Sequence, residues 1–548
     1  MLRHWRDGAW QVTTWEGFAR AVLGAALWLR ANGVGPGDRV LLVSENRPEF
    51  LIADTAIMAI GAVTVPTYVT NTASDHAHIM RDSGARVAIV STDTLGHRVA
   101  EGAAQVAGLD MLIGIEGVPP APPGVRAVAW TELMEPKDDG GALLAEIMAI
   151  PPGRLACLIY TSGTGGSPKG VMLPHRAMLS NQGGVARILG PLELDGKRYL
   201  SFLPMSHSYE HTVGGFLLPS LGVEVVYSRG ADKLAAEMQE WQPAVLTAVP
   251  RLFEVLRARI LAQVEKEGGL KEALFRRALA MGLRKMDGPP LGLLERVQDA
   301  VFDRLVRDKI RARFGGKVEV LVSGGARLDP ELSGFFLALG LPVIQGYGQS
   351  EAGPVVSVNT PWDNDRRSVG RPLPGVEVRI AEGGEILIRG DLVMDGYWGN
   401  PEATASALQD AGEGLWLHTG DVGRLEDGRI VITDRKRDFI KLVGGDMVAP
   451  SKVESLLVGE PEIAQAVAVG EGMTALAALL VPVEGQEGKL ADAVARVNAK
   501  LSPIERIRRW QAVREPFSVE NGLLTPTMKV KRRLVIERYR TEVEALAR

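Results

Sequence analysis

LIYTSGTGGSPKGVMLPHRAM, residues 158–178, sets an apolar β-rich run against a turn crowded with glycine and hydroxyl side chains, closed by Pro168-Lys169-Gly170. Between Thr161 and Gly170 there are four glycines, four hydroxyl side chains and one lysine. Glycines let backbone N–H groups curl around phosphate oxygens, hydroxyls donate further hydrogen bonds, and a lysine neutralises charge. The segment therefore reads as a polyanion-binding loop on the end of a strand. It is not the Walker loop, which needs G-x4-G-K-[ST]; here proline precedes the lysine and glycine follows it. A nucleotide is expected, but not on the P-loop nucleotide fold.

The bulk numbers narrow the class. A chain of 548 residues exceeds one ordinary core and predicts two or more domains. With 46% hydrophobic and 23% charged residues it has an ordinary globular composition. A net charge of -4 and the lack of a dense Lys/Arg tract argue against nucleic acid as a partner. The one cysteine, Cys157, excludes an internal disulfide and any Cys-rich metal site, and its place in the run ACLIY predicts a packed core thiol. The first residues, MLRHWRDGAWQVTTW, contain no apolar signal region, and TAIMAIGAVTVP is too short to span a bilayer. A cytoplasmic protein is expected. Its oligomeric state cannot be read from the sequence.

Outward from the loop, the first half alternates helical and strand patterns. GFARAVLGAALWLRANG has helical spacing and stops at Gly33, DRVLLVS is a short strand, EFLIADTAIMAIG is helical, and ARVAIVST is another strand. The alternation predicts a layered α/β domain with a largely parallel sheet. It continues through PAVLTAVP, a charged helical region from about Arg251 to Phe314, and KVEVLVSGG. Around Glu377 the texture changes. VEVRIAEGGEILIRG and GRLEDGRIVITDRKRD alternate apolar and polar residues about glycine turns, predicting an antiparallel β subdomain. TDRKRD, Thr433 to Asp438, is charged and reads as an unburied linker. This divides the chain into a large N-terminal domain, residues 1–434, and a small C-terminal α+β domain, residues 435–548.

Further motifs join the loop in a fixed order. LPMSHSYEH carries His207, VSGGARL ends a strand in a glycine turn at Gly325 and Ala326, and QGYGQSEAG offers Gly346, Tyr347, Gly348, Ser350 and Glu351. LHTGD ends in Asp421, suited to bind a pair of vicinal hydroxyls, while DRKRDFIKLVGGDMVAP and NGLLTPTMKVKRR supply cations. Together, from about Trp15 to Arg533, these segments resemble the AMP-forming acyl-adenylate superfamily. SENRPEFLIAD, PTYVTNTASD, GGDMVAP and LTPTMKVKRR are most similar to the bacterial long-chain fatty acid–CoA ligases.

The resemblance implies a two-step reaction. A fatty acid carboxylate attacks the ATP α-phosphate, releasing pyrophosphate and giving acyl-AMP, and the thiol of CoA then displaces AMP. Repulsion between carboxylate and triphosphate makes positioning and cationic stabilisation central. By the same resemblance Thr161, Ser162, Gly163, Thr164, Gly166 and Lys169 hold the β- and γ-phosphates, and Glu351 with Thr161 binds Mg²⁺. Gly325, Ala326 and Tyr347, within Gly346-Tyr347-Gly348, frame the adenine. Ser350 lies near the α-phosphate, Asp421 and Arg435 hold the ribose, and His207 sits beside the acyl carboxylate. Lys529 bridges carboxylate and α-phosphate from the small domain. Lys441 serves the thiol-adding conformation after rotation about Arg437.

Two positions depart from the family pattern. Gly165 replaces a hydroxyl residue in the loop, a loss of roughly 1 kcal/mol if the missing contact was made to a charged oxygen. Ser350 replaces threonine and keeps the hydroxyl. The runner-up reading within the fold is an adenylating enzyme that serves a carrier protein or a non-fatty acid, though such modules often carry a fused carrier domain and the chain ends at Arg548 without one. A nucleophile elbow, G-x-S-x-G, fails at Ala352, and a hydrolase leaves the nucleotide motifs unexplained. A non-catalytic nucleotide binder leaves Glu351, Asp421, Arg435 and Lys529 without a purpose. A greasy acid partitions into membranes, so peripheral association with the inner face of the membrane fits the chemistry, yet no amphipathic anchor stands out in the sequence.

Overall fold

The computed structural model describes residues 1–134, 140–161, 167–412, 414–436, 438–525 and 528–547. Two large sheets organise the N-terminal part. The first has eight strands in the order Gly396–Tyr397, Lys169–Pro174, Leu155–Thr161, Val63–Thr67, Arg39–Val43, Val87–Val90, Met111–Gly114, Arg126–Ala129. From Leu155–Thr161 onward neighbours pair in parallel, and the other two strands add antiparallel on the far side. The inner strands are apolar on both faces because helices cover both. Arg39–Val43 and Val87–Val90 are buried almost throughout, as a doubly covered sheet requires.

The second sheet has nine strands, with Val343–Gly348, Val320–Ser323, Val245–Ala248, Arg198–Ser201, Glu224–Tyr227 and Leu2–Arg6 as its parallel run. A third, antiparallel sheet of five strands follows, built from Glu377–Ile380, Glu385–Arg389, Leu408–Asp410, Leu415–Glu426 and Arg429–Arg435. Antiparallel pairing already appears earlier, with Val355–Val358 and Arg371–Pro372 on the edge of the second sheet, and the wholly antiparallel third sheet starts at Glu377, where the alternating sequence pattern begins. A separate C-terminal α+β domain carries Ile463–Val469, Leu476–Pro482 and Ile507–Ala512 in one sheet, with helices Pro450–Val458 and Leu490–Ala499 closing its core.

Local chemistry explains the element ends. Helix Trp15–Ala31 starts at Thr14, whose hydroxyl accepts the Gly17 N–H at 3.1 Å, and the chain leaves it through Gly33 at φ +86°. Cys157 is fully buried in an apolar cluster, and burial pushes its thiol well above its ordinary range. The helical region after Pro250 is broken into Pro250–Glu267, Gly269–Asp287 and Leu293–Phe302, the last continuing to Arg313.

The expected linker TDRKRD differs from its reading. Thr433, Asp434 and Arg435 belong to the strand Arg429–Arg435, and Asp434 is buried, accepting the Ser451 N–H and hydroxyl at 3.1 and 2.9 Å. A carboxylate given charge-assisted donors tolerates burial that its composition argues against.

Phe336 is fully buried, edge-on to Phe253 and Phe335 at centroid distances of 5.4 and 5.2 Å, and shares a cluster with Leu321 and Val343. It thus packs beneath the two strands that end in the Gly325 and Tyr347 turns. Phe336→Ala should cost about 3–5 kcal/mol, read as a lowered midpoint of urea unfolding; an unchanged midpoint would remove this residue from the core that supports those turns.

Candidate active site

The strand ends of both large sheets open on one cleft of about 1940 Å³. Single-ligand pockets run to about 300–1,000 Å³, so there is room for a nucleotide and a second substrate together. The hairpin between Leu155–Thr161 and Lys169–Pro174 pairs Thr161 with Lys169, and both line the cleft. Ser162, Gly163, Thr164 and Gly166, between them, lie outside the described residues, as does Arg437. The Lys169 ammonium stands 5.1 Å from the Tyr397 ring centroid, and the Tyr397 hydroxyl donates to Glu351 at 2.8 Å. One aromatic side chain therefore ties the loop cation to the carboxylate after Ser350.

The second wall is built from turns. Gly325 has φ +79°, a conformation that glycine adopts without strain. At Gly324 a Cβ would lie 2.9 Å from the Tyr209 ring, so only glycine lets the backbone approach this closely. Ala326, Gly346, Tyr347, Gly348 and Ser350 continue the wall, and the Ser350 hydroxyl lies 2.8 Å from that of Ser208.

Strand register sets the third wall. Asp421 pairs with Arg435 across neighbouring strands, and Arg435 Nε lies 3.3 Å from its carboxylate. The Tyr347 hydroxyl donates to Asp421 at 2.7 Å, joining this wall to the last. Burial raises the Asp421 carboxyl, opposed by Arg435, the Tyr347 hydroxyl and Lys529. Burial works against the Arg435 charge, but Asp421, Asp438 and Glu351 outweigh it and hold the guanidinium above its ordinary value.

Lys529 enters from the C-terminal domain. Its N–H donates to the Thr525 hydroxyl at 3.0 Å, its carbonyl accepts the Thr525 N–H at 2.7 Å, and Met528 before it has φ +63°. This tight turn carries the side chain to the Gly325 turn, Cε lying 3.9 Å from where a Cβ on that glycine would be. Burial and the Arg435 charge lower its pKa to about 8, with Asp421 and Glu351 opposing. Burial and Lys529 lower His207 to about 3. His207 Nδ1 accepts the Tyr209 N–H at 3.2 Å, so the ring is neutral with its proton on Nε2, a donor suited to a carboxylate.

Lys441 stays outside. It sits exposed on the ribbon Ile440–Lys441 and Met447–Val448, its N–H donating to Glu471 at 3.0 Å. Among the described residues, no group of three or more His, Cys, Asp or Glu could hold a metal by itself. Glu351 and Thr161 offer one carboxylate and one hydroxyl, a donor set that fits a hard cation shared with phosphate oxygens and water.

Three contributors escaped the sequence reading. Tyr397 lies 228 positions beyond Lys169 on a two-residue strand, where spacing carries no signal. Tyr209, under the Gly324 turn, stands two residues after His207 and reads as core. Glu210 is fully buried, accepting the hydroxyls of Tyr199, Ser201 and Thr247 at 2.7, 2.6 and 3.1 Å. Burial raises it to about 7, opposed by those hydroxyls, and it pins the start of the helix after His207.

Residues 3–398 match the AMP-binding enzyme family, and residues 437–548 match the AMP-binding enzyme C-terminal domain. The chain is 35% identical to the long-chain-fatty-acid–CoA ligase FadD15 of Mycobacterium tuberculosis, over 98% of this chain and 93% of that protein. It is 31% identical to the peroxisomal long chain acyl-CoA synthetase 6 of Arabidopsis thaliana, over 96% and 80%. Among solved structures it is similar to the adenylation domain of a carboxylate reductase from Mycobacterium chelonae, with TM-score 0.74, 21% identity, and coverage of 100% and 88%. ATP-bound MatB from Rhodopseudomonas palustris gives 0.72 and 21%, covering 99% and 96%. At these identities the two structures speak to the fold.

In the ligand-free protein, NMR of ¹³C-methylated lysines should find Lys529 titrating near pH 8, against about 10.4 for surface lysines. Asp421→Asn removes an attraction that favours the cation, so the midpoint should move lower still. A midpoint near that of surface lysines, or a rise in the variant, would contradict the described seat of Lys529.

Proposed function

Because the chain belongs to the AMP-binding enzyme family and is an adenylate-forming ligase, we propose that it converts a fatty, long-chain carboxylic acid to acyl-CoA through acyl-AMP, using ATP and CoA. The observation that carries the reading is the seat of Lys529. Its cation lies at the Gly325 turn, under the influence of Asp421, Arg435 and Glu351, with His207 beside it. An attacking carboxylate and an α-phosphate repel each other, and a pre-organised cation between them lowers that repulsion in the transition state. Neutral His207 orients the carboxylate through Nε2–H without adding charge. Asp421 and Arg435 hold the ribose, Tyr347 and the Gly325–Ala326 turn frame the adenine, and Thr161 and Lys169 meet the outer phosphates.

Mg²⁺ would be held by Glu351 and Thr161, where it neutralises phosphate charge. The apolar limb of the cleft, with Val185, Leu189, Val213, Leu218, Val245 and Ile344, supports a hydrocarbon tail. Each buried methylene contributes about 0.8 kcal/mol, so such a limb favours long chains.

We further propose that residues 1–434 and 435–548 act as two bodies turning about Arg437, a rotation that withdraws Lys529 and brings Lys441 inward for the thiol step. The exposed position of Lys441 while Lys529 is in the cleft supports this alternation. The test of the whole reading is ATP–pyrophosphate exchange across a panel of acids, followed by acyl transfer to CoA and to a phosphopantetheine carrier. Exchange with fatty acids and transfer to CoA are expected; transfer to the carrier alone, or exchange only with short polar acids, would replace this reading.

Two variants separate the steps. Lys529→Ala should lose about 10²–10³-fold or more in acyl-AMP synthesis, yet convert supplied acyl-AMP and CoA at a rate near wild type. Lys441→Ala should show the opposite bias. Equal slowing of both half-reactions in Lys529→Ala would end the two-conformation reading. Glu351→Gln should sharply lower turnover at ordinary Mg²⁺ without lowering the melting temperature, and wild-type activity there would remove Glu351 from the metal site.

A further inference from the structure

The last helix of the region between strands Val245–Ala248 and Val320–Ser323 presents a second, exposed apolar face in addition to the one it buries. It runs as Leu293–Phe302 and continues unbroken through Asp303–Arg307 and Asp308–Arg313. Its inward side anchors it through buried Val306 and Ile310 and half-buried Phe302, and also carries a cluster of charges. Asp299 and Arg307 are buried and paired at 2.6 Å, Lys285 reaches Asp299 at 3.1 Å, Glu295 meets Arg284, and Arg307 donates to the carbonyls of Ala338 and Ala278. Its outward side is apolar. Leu293, Leu294 and Val297 are 83%, 73% and 63% exposed, and Val301 and Leu305 are exposed as well. An ordinary surface helix keeps charged and polar residues on its outward face. Five large apolar side chains grouped on one exposed face mark an interaction surface.

Charge indicates what covers it. Between residues 251 and 317 there are sixteen Lys and Arg against nine Asp and Glu, in a chain whose net charge is -4. On the helix itself Arg296, Arg304 and Lys309 are exposed, and Arg304 and Lys309 form no ion pair among the described residues. We propose that this outward face docks on an anionic lipid bilayer, its leucines and valines entering the boundary between headgroups and acyl chains while the cations meet lipid phosphates. A second copy of the chain fits less well, because a two-fold contact would set the same cations against each other. Among the described residues no helix is long and apolar enough to cross a membrane, so the contact is interfacial. The same region reaches the cleft through its first turn, where Arg251 and Glu254 line the wall. The inference rests on this surface and not on the identity of the acid, although a bilayer is where a long-tailed acid collects. The spacing of these residues was in the sequence, but which side faces outward was not.

The experiment is flotation of the purified full chain with extruded vesicles, either phosphatidylcholine alone or phosphatidylcholine with phosphatidylglycerol, without fatty acid. Binding to the anionic vesicles, weakened by salt, is expected. Leu294→Glu with Val297→Glu should lower that binding about tenfold or more, with an unchanged melting temperature because both positions face solvent. Arg304→Glu with Lys309→Glu should also weaken it and flatten the salt dependence. The proposal is overturned if wild type fails to float, if it floats equally on neutral vesicles, or if both double variants bind as wild type. It is also overturned if light scattering finds a dimer that the Leu294→Glu, Val297→Glu variant converts to monomer, since a second copy would then cover the face.

Discussion

Lys529 and Arg435 bring two cations into one cleft, and the carboxylates of Asp421 and Glu351 offset their repulsion. The balance is close. Lys529 is held at about 8, so its proton is retained against burial by a small margin, whereas Arg435 rises because Asp421 faces it directly. Phosphates entering such a site replace unfavourable cation–cation terms with favourable ones. On the proposed function, the strain of assembling the cations is relieved when the phosphates bind.

Backbone register makes that balance reproducible. Thr161 faces Lys169 across one hairpin and Asp421 faces Arg435 across another, so each pair is fixed by a hydrogen-bonded ladder rather than by side-chain flexibility. Two tyrosines then link the walls: Tyr347 joins its turn to Asp421, and Tyr397 joins Lys169 to Glu351. The apolar clusters beneath serve chiefly to hold these ladders and turns at fixed distances.

Periodicity and glycine placement made the layered α/β organisation legible, because alternation of helix and strand patterns leaves few topologies. The change near Glu377 to antiparallel sheet was legible for the same reason. Motifs marked the cleft residues one by one, but the links between them were not visible. Tyr397 touches partners far away in sequence, and Asp434 looks like a solvated linker acid until Ser451 is brought to it. The buried Glu210 network was equally hidden, since only folding brings Tyr199, Ser201 and Thr247 around one carboxylate. The helix after Leu293 shows the same limit: its spacing is amphipathic, but burial is a property of its neighbours.

The sealed position of Cys157 has a practical consequence. Its side chain is fully buried and its thiol is held protonated by its surroundings, and it is the chain's one cysteine. Thiolates, not thiols, react with maleimides, so the native protein is close to silent toward such dyes. Fluorophores attached at two introduced surface cysteines, one on each side of the cleft, would report on those positions with little background. The proposed domain rotation could then be tested as energy transfer in single molecules, with the natural thiol left in place.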